Sequence, residues 1–440
     1  MTKYAYHPRY WRVSRILVLA LPLLLSQNFL LECGGALAAT TSKTSTSKVS
    51  QSKAPPAMTP SAPTFEPMAF SDLPGWGEDD HLAAWKAFLA SCKPVLKSGA
   101  RASNPGNAGS PQALLDICAR ATALSKSKSV RTRSEARQFF ETNFRPHRIS
   151  GGDPQGLLTG YYEPLIKGSR TPDAIYKVPV YRRPSDLVNV VAESERGAKS
   201  GSFTHQRKTE KGLEPYLTRA EIEGGGLAGH GLELLYLKDQ VDVFFMQVQG
   251  SGRIQLPSGE KVRVTYDGKN GYPYTSIGRV LIDDGQLTAQ EMSLKSLKGW
   301  LKADKERAKP VMWKNQSYVF FKELSGEEAK SPMGVMGIPL QTGRSLAVDT
   351  TYYAIGTPIY VDAPEIKHAT KAGVFRRLMV AHDVGSAIKG TERGDIYFGS
   401  GDEAGRLAGV TKQPGHLYAL LPVEDERASV PDPKTASNGP

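Results

Sequence analysis

At 440 residues, with 40% hydrophobic and 23% charged content, the chain is long enough for two or three domains and apolar enough to bury a sizeable core. Its formal net charge of +12 favours an acidic partner such as nucleic acid, anionic lipid or an anionic polymer. No arginine-rich helix or base-stacking motif accompanies that charge, which argues against nucleic acid.

Residues 1–39 have the layout of a secretory signal. Arg9, Arg12 and Arg15 make a basic start, 16–25 is apolar except for Pro22, and Ala36-Leu37-Ala38 offers a small-residue cleavage site. The apolar run is short of the roughly 20 residues that span a bilayer. The alternative is lipoprotein processing at Cys33 in Leu30-Leu31-Glu32-Cys33, where Glu32 stands at a position that wants a small residue. Residues 40–66 are rich in Ser, Thr, Lys, Ala and Pro, too poor in large apolar groups to offset their ordering entropy, and are expected to be a disordered linker. The tail, 424–440, has a similar composition.

From Asp80 the apolar residues Leu82, Trp85, Phe88 and Leu89 recur at helical spacing behind an aspartate cap. Two more helices are expected over 112–121 and 134–143. Cys92 and Cys118 fall on the first two. In an exported chain whose Cys33 is removed or acylated, they are expected to form a disulfide, the alternative being two buried thiols. From Gly156 the pattern becomes short β segments: 157–162, 178–181, 232–237, 241–248, 253–256, 261–266, 318–321 and 417–421. Most are bounded by Gly, Pro or Asp, as in barrels and sandwiches. One helical insert, 288–303, interrupts them.

Several stretches carry chemistry. Gly160-Tyr161-Tyr162-Glu163-Pro164 ends a strand with two aromatics and an acid. Exposed tyrosines beside a carboxylate suit sugar rings, and core packing is the bland reading. In 246–253, alternation puts Gln247 and Gln249 on one face of a strand, able to line a groove or to meet solvent. In 376–407, two short apolar runs lie close to Asp383 and Asp395, among Gly385, Gly390, Gly394, Gly399, Gly401 and Gly405. That pattern fits either the floor of a polar cleft or capped turns. The histidines are scattered, the cysteine spacing is wrong for zinc and no H-E-x-x-H occurs, so no metal ligand set and no cofactor site is expected. There is no G-x-S-x-G elbow for a serine nucleophile. The acids Glu163, Asp349, Asp383 and Asp395 remain as catalytic candidates, with Asp383 and Asp395 equal on local pattern.

The segments 160–164, 246–253, 332–349 and 381–399, in this order, resemble the membrane-bound lytic murein transglycosylase A family. The resemblance implies a mainly β fold with N-terminal helices, in which a double-psi β-barrel (67–177 plus 314–423) is interrupted by a second, inserted β-barrel domain (178–313). Asp349, Asp383 and Asp395 match the three aspartates that name the family's 3D domain, whose motif region runs over 332–409. The implied activity is non-hydrolytic cleavage of the β-1,4 bond between N-acetylmuramic acid and N-acetylglucosamine in peptidoglycan, leaving 1,6-anhydromuramoyl ends. Asp395 matches the single acid–base residue, and Asp383 becomes its supporting catalytic partner. Tyr161, Tyr162, Glu163, Gln247, Gln249 and Asp349 become substrate-contact candidates, and Arg253 or Lys389 would meet acidic peptide stems. The implied partners are peptidoglycan glycan strands, the outer-membrane inner leaflet if Cys33 is lipidated, and a cell-wall synthesis or remodelling complex, all in the bacterial periplasm. The rivals are a two-carboxylate hydrolase and a non-catalytic glycan-binding wall protein.

Overall fold

The computed structural model describes residues 64–98, 111–150, 156–191 and 204–423. The export signal, the Cys33 alternative, the 424–440 tail and nearly all of the expected linker lie outside the described residues. Among the described residues, no helix is long and apolar enough to cross a membrane.

Three helices come first: His81–Ser98, Pro111–Lys126 and Arg133–Asn143. The third is entered through a capping box in which Thr132 accepts from Glu135 N and Glu135 reaches back, satisfying otherwise orphaned amides. The expected disulfide is present, joining Cys92 and Cys118 across the first two helices with Cα atoms 4.9 Å apart. An aromatic core of Trp85, Phe88, Phe139, Phe140 and Phe144 packs these helices on Tyr360, Leu378 and Val380 of the main sheet. Polar contacts lock the same junction. Asp79 forms a bidentate pair with Arg344 (2.7 and 2.8 Å) and accepts from Leu378 N.

The main sheet is mixed and nine-stranded. Its order is Thr64–Pro67, Phe144–Ser150, His416–Pro422, Pro358–Ala363, Phe375–Val384, Ser345–Val348, Arg393–Ser400, Leu157–Glu163 and Lys412–Pro414. A second sheet of six strands has the order Val319–Leu324, Lys261–Lys269, Ser251–Gln255, Leu165–Ser169, Glu233–Leu237 and Val178–Tyr181. It therefore draws on chain from Leu165 to Leu324, beyond 178–313 on both sides. A third sheet, Leu187–Asn189, His205–Thr209 and Gly212–Glu214, is a short meander.

The segment read as strand 241–248 is helix, Gln240–Gln249. Asp239 caps it by accepting from Val241 N, and Gly250 closes it at φ 75°, a left-handed conformation that suits glycine. Val241, Val243, Phe244, Phe245 and Met246 are all buried. A short apolar run buried on several sides carries no helical period, and its β-branched residues mimic a strand. The single expected helix at 288–303 is also corrected. Leu294–Ala303 is helical, and it is joined by Ile277–Asp283 and Lys305–Lys314.

Candidate active site

Strand register assembles the site. Ala347 pairs with Asp383 on one neighbouring strand and with Asp395 on the other. Asp395 pairs in turn with Thr159, and Thr159 with Lys412. Paired residues share a face, so Asp383, Ala347, Asp395, Thr159 and Lys412 form one row across five strands. Asp383 and Asp395 stand two inter-strand spacings apart, about 10 Å at Cα, with only a methyl group between them.

A β-bulge makes this row possible. Leu346 pairs with Ala381, but Ala347 pairs with Asp383, leaving His382 as the extra residue. Without it His382 would oppose Ala347, and Asp383 would turn to the opposite, apolar face with Leu346, Val348 and Ala381. His382 is fully buried, and its Nδ1 lies 2.8 Å from Ser345 Oγ. Burial pushes its pKa down to about 3, so the ring is neutral. The histidine therefore anchors the bulge and supplies no base.

Asp395 is oriented from one side. Thr159 donates its hydroxyl to Oδ1 at 2.6 Å, and Arg393 Nη2 donates to that same hydroxyl oxygen at 2.9 Å. Asp383 accepts from the adjacent Val384 N at Oδ1, 2.9 Å away, and the Tyr161 hydroxyl and the Val335 amide also favour its charged form. Both carboxyls are nevertheless pushed up. Burial raises Asp395 to about 6 against the opposing pull of Thr159 and Arg393. Burial, reinforced by the charge of Asp395, raises Asp383 to about 7. The desolvating wall is a small cluster of Tyr161, Leu340, Ala347, Ile388 and Tyr397. Its two tyrosine rings lie 5.3 Å apart.

The other nominated residues have different employment. Tyr161 and Tyr162 are 8% and 7% exposed, so neither presents the open ring face expected for stacking. Tyr161 belongs to the wall behind the aspartates, and Tyr162 packs into the apolar core with Phe398. Glu163 is wholly buried. It pairs with Arg263 at 2.5 and 3.1 Å, accepts from Ser400 Oγ at 2.7 Å and lies 3.4 Å from Arg253. That network ties the main sheet to the second one. Gln247 is buried, accepts from Arg219 at 2.6 Å and donates to Val319 O. Gln249 accepts from Tyr162 N at 2.9 Å, so the two amides do not line a common strand face. Asp349 accepts from Thr351 N and Gly390 N and lies 3.9 Å from Lys389, the contacts of a turn. Among the described residues, no group of three or more His, Cys, Asp or Glu could hold a metal ion.

Sequence reasoning missed Thr159, Ala347, Arg393 and Lys412. It also missed a cavity of about 410 Å³ at the Thr159–Lys412 end of the row. Helices of the second-sheet region supply its apolar wall, with Phe245, Val248, Leu294 and Leu297 prominent, and Thr159 and Lys412 supply the sheet side.

Two buried carboxyls whose pKa values are pushed up toward neutrality, set in one row beside a cleft, have the chemistry that a general acid–base site requires. Residues 157–322 match the MltA specific insert domain and residues 344–421 the 3D domain. The chain is 36% identical to the membrane-bound lytic murein transglycosylase A of Vibrio cholerae over 279 residues, covering 62% of this chain and 68% of that protein. It is similar to the crystal structure of a membrane-bound lytic murein transglycosylase from Agrobacterium tumefaciens, with TM-score 0.72, 36% identity, and 82% and 98% of the two chains covered. It is also similar to Escherichia coli MltA with bound chitohexaose, with TM-score 0.56, 27% identity, and 82% and 92% covered. The chain belongs to the membrane-bound lytic murein transglycosylase A family.

Proposed function

We propose that this protein is a lytic transglycosylase that cleaves peptidoglycan glycan strands without water, with Asp395 as acid and then base. The observation that carries the assignment is the unequal binding of the two aspartates. Asp395 accepts at Oδ1 from a side-chain hydroxyl, Thr159, with the positive charge of Arg393 beside it. The hydrogen bond to Asp383 Oδ1 comes instead from the adjacent backbone amide, Val384 N, and among the described residues no cation favours its charged form.

In this reading Asp395 starts protonated and gives its proton to the glycosidic oxygen as the bond from the muramoyl C1 to that oxygen breaks. The new carboxylate is stabilised by Thr159 and by the positive charge of Arg393. It then takes the proton of the muramoyl C6 hydroxyl while O6 closes on C1, giving the 1,6-anhydro ring. The nucleophile is already on the substrate, which supplies the proximity term. Asp383 assists by shaping the local potential and by holding the bulge geometry. The glycan lies along the row, in keeping with the chitohexaose bound to the E. coli relative. The main sheet is the double-psi β-barrel of the family, discontinuous in sequence, and the second sheet with its helices is the inserted domain. An exported, periplasmic location, with lipid attachment at Cys33 as an option, fits the membrane-bound relatives.

One observation favours a rival. Asp383 is also held near neutrality, as a partner acid in a two-carboxylate hydrolase would be. Digestion of purified peptidoglycan separates the two: anhydromuropeptides in the mass spectrum support the transglycosylase, and reducing-end products support the hydrolase.

A further inference from the structure

We infer that the cavity at the Lys412 end of the catalytic row is a subsite for the peptide stem of the muramoyl residue, with Lys412 pairing a stem carboxylate. This rests on the lytic transglycosylase reading and adds a specificity determinant to it. The basic residues that sequence pointed to for this role already face protein carboxylates: Arg253 lies 3.4 Å from buried Glu163, and exposed Lys389 lies 3.9 Å from Asp349. Lys412 differs. It is exposed, forms no ion pair among the described residues, and is placed by its pairing with Thr159 on the same face as Asp395.

The cavity it borders is predominantly apolar. Phe245, Val248, Leu294 and Leu297 dominate its wall, with Tyr274, Ser276, Ser293 and Thr411 adding a few hydroxyls, a balance that favours alkyl groups over the many hydroxyls and acetamides of a sugar ring. The glycan backbone is also neutral wherever its lactyl groups are amide-linked, so a cation beside it has nothing to pair. The stem supplies both missing features: methyl groups at its lactyl and alanyl start, then free carboxylates. An apolar pocket with a cation at its rim complements that order.

The test measures equilibrium binding of soluble glycan strands to the protein in the Asp395→Asn background, which leaves the strands intact. Strands with native stems are compared with strands whose stem carboxylates have been converted to amides. The inference predicts that amidation weakens binding about 3- to 5-fold, the scale of one solvent-accessible ion pair. It predicts that adding Lys412→Gln weakens native strands equally and abolishes the distinction. Charge reversal with Lys412→Glu should invert the preference. A Lys412→Gln protein that still discriminates, or a protein blind to amidation, would overturn the subsite. Failure of the parent reading appears elsewhere, as absence of anhydro products from the wild-type enzyme, and leaves the binding comparison intact.

Discussion

Asp383 and Asp395 face the same way on either side of Ala347, although their strands run in opposite senses relative to the Ala347 strand. The bulge at His382 is what reconciles them. Each carboxyl is thereby held against an apolar wall that raises its pKa, yet among the described residues only Asp395 has both a side-chain hydroxyl and a cation, Thr159 and Arg393, to stabilise its charged form.

Thr159 should tune the proton held by Asp395. Its hydroxyl stabilises the carboxylate form, so Thr159→Val should raise the pKa of Asp395 and move the alkaline limb of the pH–rate profile upward. Thr159→Ser, which keeps the donor, should restore the wild-type profile. A Val variant with lower activity and an unshifted profile would reduce Thr159 to packing.

The raised acids should cost stability at neutral pH. A carboxyl whose pKa is higher in the folded than in the unfolded state favours folding when protonated. Stability is therefore lost as pH rises from the ordinary Asp value of 3.8 through about 7 for Asp383. Asp383→Asn should melt several degrees above wild type at about pH 8, with the gap closing toward about pH 4. The measurement is thermal unfolding across that range.

Glu163 should behave as a structural anchor. Glu163→Gln leaves buried Arg263 without its counter-charge, which should destabilise by about 3–5 kcal/mol. Turnover below the melting range should persist. Chemical denaturation and low-temperature kinetics, read together, would distinguish this from a substrate contact.

The disulfide should contribute through the unfolded chain. Cys92→Ser opens a bridge with a sequence separation of 26, and the expected loss is about 3–4 kcal/mol on the chain-entropy model. Denaturant titration checks it. The site lies on other strands, so the variant should keep activity while folded.

The sequence revealed the helices before residue 144, the disulfide and most strand positions, because amphipathic period and cysteine count are local signals. Asp383 and Asp395 were visible as a pair but not as a row. Their alignment depends on Ala347, a residue with no chemistry of its own, and on a one-residue bulge that no pattern announces. Thr159 lies immediately before a motif that was read for its tyrosines. Those tyrosines, with Glu163 and Gln247, were misjudged because burial was invisible: Glu163 meets Arg263, 100 residues away along the chain. Helix 240–249 was lost for the same reason, its faces being decided by the cores on several sides of it.

The central claim is that Asp395 alone carries the proton through both halves of the reaction. Wild type, Asp395→Asn and Asp383→Asn should digest purified peptidoglycan in parallel, with 1,6-anhydromuropeptides quantified by mass spectrometry. Anhydro products are expected from wild type, with a loss of at least about 10²–10⁴-fold in Asp395→Asn and a smaller loss in Asp383→Asn with the same product. Reducing-end products from wild type, or undiminished turnover by Asp395→Asn, would contradict it.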